Sequence, residues 1–71
     1  MKTINAIISE NIYNQANIEK IREVCESVAQ NNGIRAEVEG SEMFLYGYEQ
    51  KDVDPTDVRN EILTELQKVG F

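Results

Sequence analysis

Seventy-one residues can enclose one hydrophobic core but not two, and 41% hydrophobic with 28% charged residues is a globular mix, not the apolar-poor composition of a disordered chain. A net charge of −6, with seven scattered Lys and Arg residues, argues against nucleic-acid phosphates and anionic membranes as partners and favours a protein with a basic surface. A single cysteine and no histidine rule out an internal disulfide and a Cys/His zinc site, and with no membrane-spanning apolar run and no signal-peptide pattern in the first residues a cytoplasmic location is expected.

Residues 3–8 alternate so that Ile4, Ala6 and Ile8 share a face, which predicts a first strand. Asn14 stands where an N-cap belongs, before a helix expected over 15–31 with Ile18, Ile21, Val24, Cys25 and Val28 on one stripe. Asn32-Gly33 supplies its left-handed stop. From Ile34 the period returns to two, Ile34, Ala36 and Val38 alternating with Arg35, Glu37 and Glu39. Gly40-Ser41 is a two-residue hairpin loop with glycine first, as a type II′ turn requires, and 42–49 is the return strand. Asp54-Pro55 then caps and opens a second helix, on which Val58, Ile62, Leu63, Leu66 and Val69 form the apolar stripe. Gly70 ends it, and Phe71 can fold back on its last turn.

Strand, helix, strand, strand, helix is an α+β order. A right-handed crossover makes the first two strands parallel, and the third, most apolar strand fits between them. The expected fold is a β-α-β-β-α two-layer sandwich: a three-stranded sheet of order 1-3-2 with two helices on one face, a truncated ferredoxin-like arrangement. The missing fourth strand would leave the outer edge of strand one open. Pairing at that edge, or packing of two sheet faces, makes a homodimer the economical assembly.

The hairpin register carries the main functional expectation. With Gly40-Ser41 as the loop, Val38 pairs with Met43, Ala36 with Leu45 and Ile34 with Gly47, all towards the helices. The other face then carries Glu37 opposite Phe44 and Arg35 opposite Tyr46, with Tyr48 next along the strand. Phe44, Tyr46 and Tyr48, together with Ile7, would make a contact patch, since aromatics are enriched at interface cores. The ordinary alternative is a solvated sheet face that tolerates tyrosine, and a bulge at Gly40 would turn the aromatics inward. The ladder Phe44, Tyr46, Tyr48 resembles the base-stacking strands of RNA-recognition domains, but Glu37, Glu39, Glu42 and Glu49 around it would repel phosphate.

Asp57, Glu61 and Glu65 recur every fourth residue on the last helix. They read either as a solvated face or as a docking stripe for a basic protein. Acid–base or magnesium chemistry would need such carboxylates to converge in a pocket, which one exposed helix face does not provide. Cys25, on a core stripe, reads as a small buried residue, and the four glycines form no phosphate loop, so no cofactor is expected. The sequence therefore points to a non-enzymatic protein-interaction module, a small regulator or inhibitor comparable in composition to the acidic regulators of phages and mobile elements. The alternative is a regulatory domain that binds a small molecule as a homodimer.

Overall fold

The computed structural model describes residues 2–71. Its elements run α1 (Ile4–Asn11), α2 (Gln15–Asn31), β1 (Arg35–Glu39), β2 (Glu42–Tyr46) and α3 (Pro55–Lys68), an α+β order with a two-stranded antiparallel sheet.

The first element corrects the expected strand. Thr3 is an N-cap whose Oγ1 accepts from the Ala6 N–H at 3.1 Å, and it opens a helix over the segment that alternates. Ile4, Ile7 and Ile8 also lie at i, i+3 and i+4, so this short stretch satisfies both periods. A strand would leave Ile7 on the face away from Ile4 and Ile8. The helix buries all three, at 4%, 1% and 0% exposure. The parallel pairing, the 1-3-2 sheet and the ferredoxin-like arrangement therefore do not form among the described residues, and neither does the open edge expected on strand one.

Asparagines make the turn into α2. Asn11 Nδ2 donates to the Ile7 carbonyl at 2.7 Å, closing α1, and its Oδ1 accepts from Asn17 Nδ2 at 2.7 Å. Asn14 caps α2 as expected, its side chain accepting from the Asn17 N–H at 3.3 Å. At the far end Asn32 Nδ2 reaches back to the Val28 carbonyl at 2.8 Å. Gly33 takes φ +76°, and the Ile34 N–H donates to the Ala29 carbonyl at 3.0 Å.

The hairpin has the register its loop dictates: Arg35 opposite Tyr46, Ala36 opposite Leu45, Glu37 opposite Phe44, Val38 opposite Met43 and Glu39 opposite Glu42. Gly40 supplies the positive φ, +58°, at the first loop position. Asp54 caps α3 by accepting from the Thr56 N–H at 2.9 Å, with Pro55 at the first helical position. Beyond Gly70 the Phe71 N–H returns to the Leu66 carbonyl at 2.9 Å, and the ring packs on the core.

All three helices lie on one face of the hairpin. α2 packs on β1 and α3, while α1 packs on β2, α2 and α3. Between the layers Ile8, Ile21, Cys25, Ile62 and Leu66 are fully buried, and Ala36, Met43, Val38 and Leu45 close the core from the sheet side. Among the described residues no helix is long and apolar enough to cross a membrane.

Candidate functional site

Alternation along β1 and β2 leaves one hairpin face bare. Arg35, Glu37 and Glu39 on one strand and Glu42, Phe44 and Tyr46 on the other are all exposed, and the helices lie on the opposite side. Phe44 retains 38% and Tyr46 40% of its surface. Large apolar side chains held on a sheet without a covering element are the type of group that interface cores use. Arg35 does not project freely from this face. Its guanidinium carbon sits 5.6 Å from the centre of the Tyr46 ring, in cation–π range.

Two members of the expected patch lie elsewhere. Tyr48 is half-buried against the core, because β2 ends at Tyr46 and Gly47, at φ +85°, breaks the alternation that would have carried Tyr48 outward. Ile7 is interior to α1 packing. The patch thus reduces to Phe44, Tyr46 and Arg35, within a rim formed by Glu37, Glu39 and Glu42.

The helix carboxylates are on the other layer and have separate environments. Asp57 lies exposed in the first turn of α3, where the helix dipole favours a negative charge. Glu61 accepts from Asn32 Nδ2 at 3.4 Å, joining α3 to the end of α2. Glu65 pairs with Lys68 at 3.1 Å and lines a shallow groove between α2 and α3 with Glu23, Val24 and Val69. The structure therefore does not bring Asp57, Glu61 and Glu65 together with the hairpin aromatics.

Cys25 is fully enclosed. Burial pushes its thiol up to about 11, and the nearby Glu26 carboxylate adds to the rise. At neutral pH it stays protonated and unreactive. One contact escaped the sequence reading: Arg59, on α3, donates to the Met43 carbonyl at 3.3 Å and so occupies an outward backbone acceptor of β2. Its only sequence signal is a cation on the half-buried flank of a helix, which does not reveal its target. Ile12 and Tyr13 also stand exposed at the α1–α2 turn, in a segment with no periodic pattern to single them out.

No protein-family model matches the chain, and no curated protein or solved structure shows a significant match to it.

Proposed function

We propose that this chain is a non-enzymatic protein-interaction module that regulates or inhibits a partner by covering part of its surface. The observation that carries this reading is the bare hairpin face, where Phe44 and Tyr46 stand exposed beside an arginine already aligned on the tyrosine ring. Tyrosine and arginine are over-represented among residues that dominate binding energy, and a preordered pair loses less freedom on docking. Glu37, Glu39 and Glu42 around these side chains, with a net charge of −6, select a partner whose contact surface is basic. The proposed setting is the cytoplasm, with which one buried thiol that needs no oxidising environment agrees.

The test is recovery of a partner on immobilised protein, comparing wild type with the double variant Phe44→Ser, Tyr46→Ser. Both side chains are surface groups, so the variant should keep its helical circular-dichroism signal. Loss of the partner supports the reading. Equal recovery by a folded double variant would place binding elsewhere.

A further inference from the structure

We infer that the outer edge of β1 accepts an extended basic segment of a partner protein as an added antiparallel strand. This deepens the protein-interaction reading above and shares its premise that the ligand is a protein. The two-residue loop closes on the hydrogen-bonded pair Glu39–Glu42, and hydrogen-bonded and non-bonded pairs alternate from there. The N–H and C=O groups of Arg35, Glu37 and Glu39 therefore point to β2, and those of Ala36 and Val38 point away from it. Ile34, of the same parity, gives its N–H to α2 through Ala29, and on the opposite edge Arg59 takes the Met43 carbonyl. Among the described residues, no hydrogen bond from outside the hairpin reaches the backbone of Ala36 or Val38. That stretch of edge is available for strand pairing.

The edge opens onto a groove of about 450 Å³, lined by Glu26 and Gln30 of α2 and by Ile34, Arg35, Ala36 and Glu37. An incoming strand would alternate its side chains between two environments. Those on the outer face would lie beside Glu37 and Glu39, where lysine or arginine is complementary and an acidic residue is repelled, while Arg35, the cation of this face, is turned onto the Tyr46 ring of β2. Those on the inner face would enter the groove against Ile34 and Ala36, which suits valine or alanine, with Glu26 at the rim adding negative charge. The segment that fits alternates basic and apolar residues. A second copy of this chain fits poorly: each copy carries a charge of −6, and antiparallel self-pairing centred on Glu37 sets that carboxylate against itself.

The probe is an acetylated, amidated octapeptide of alternating Lys and Val, with a control of the same composition in which the four lysines precede the four valines. Amide hydrogen exchange is followed by NMR. Binding of the alternating peptide should slow exchange at the Ala36 and Val38 amides about tenfold once roughly nine-tenths of the protein is occupied. Glu37→Gln with Glu39→Gln should weaken binding and flatten its salt dependence. A chemically synthesised protein with an ester in place of the Val38 amide lacks that outward N–H and keeps the side chain; the Glu37 carbonyl, now an ester, still accepts from β2 though more weakly, so the protein should fold and bind the peptide several-fold more weakly. Equal binding of the blocked control, protection confined to α3, or an ester variant that binds like wild type would each overturn the proposal. So would protection of Ala36 and Val38 that grows with protein concentration without peptide, which would make the occupant a second copy. The readout needs neither Phe44 nor Tyr46, so failure at the edge and failure of the hairpin-face reading are distinguishable.

Discussion

The guanidinium of Arg35 stacks over the ring of Tyr46, its directly opposite residue in the hairpin, at 5.6 Å from carbon to ring centre. Exposed pairs of this kind contribute about 0.5–1 kcal/mol. A double-mutant cycle with Arg35→Ala and Tyr46→Ala, read by denaturant unfolding, should give a coupling of that size. Strictly additive effects would mean that the two side chains do not stack in solution.

Ile7 separates the helical and extended readings of the first segment. In the helix it is buried among Ile4, Ile8 and the other two helices, at 1% exposure. Ile7→Asn should therefore cost about 3 kcal/mol or more, a large share of the stability of so small a domain. A near-neutral result in thermal unfolding would restore the strand.

Cys25 should make the fold sensitive to alkali. Its thiol is raised from an ordinary 9.0 to about 11 in the folded state, so the native protein holds this proton more tightly than the unfolded chain does. The stability from that difference is fully present below pH 9 and is lost as pH rises from 9 through 11, at about 2–3 kcal/mol in all. Cys25→Ala should be less stable at neutral pH, where it leaves a small cavity, yet lose less between pH 9 and 11 than wild type. Parallel pH profiles for the two proteins would contradict the assignment.

Gly40 holds the hairpin loop at φ +58° with open space where a Cβ would stand. Gly40→Ala meets no neighbour, so its cost is backbone strain alone, about 1 kcal/mol. A measured cost several times larger would indicate a steric contact that the structure does not contain.

Legibility in the sequence followed the number of independent signals at each segment. α2 and α3 each carried a cap, an apolar stripe and a stop that agreed, from Asn14 to Gly33 and from Asp54 to Gly70, and the structure places both helices there. The hairpin register followed from one glycine and strict alternation on both sides, and with it the exposure of Phe44 and Tyr46. The first segment misled because Ile4, Ile7 and Ile8 fit a helix as well as Ile4, Ala6 and Ile8 fit a strand; tertiary burial of Ile7 and the Thr3 cap decide between them. Tyr48 misled because alternation was extended through Gly47, whose left-handed backbone ends it. The expected 1-3-2 order placed the first strand against β2 and left β1 at the other edge of the sheet; with that strand absent, the outward Met43 carbonyl of β2 accepts from Arg59 instead, a contact no sequence pattern announces.

Site-specific photocrosslinking in cells tests the hairpin face most directly. A benzophenone side chain placed singly at Phe44, Tyr46 or Glu61 compares the bare sheet face with the helix layer in one experiment. The proposed function predicts a discrete crosslinked partner from positions 44 and 46 and none from 61. Capture from position 61 alone would contradict it and move the interaction to the acidic helix.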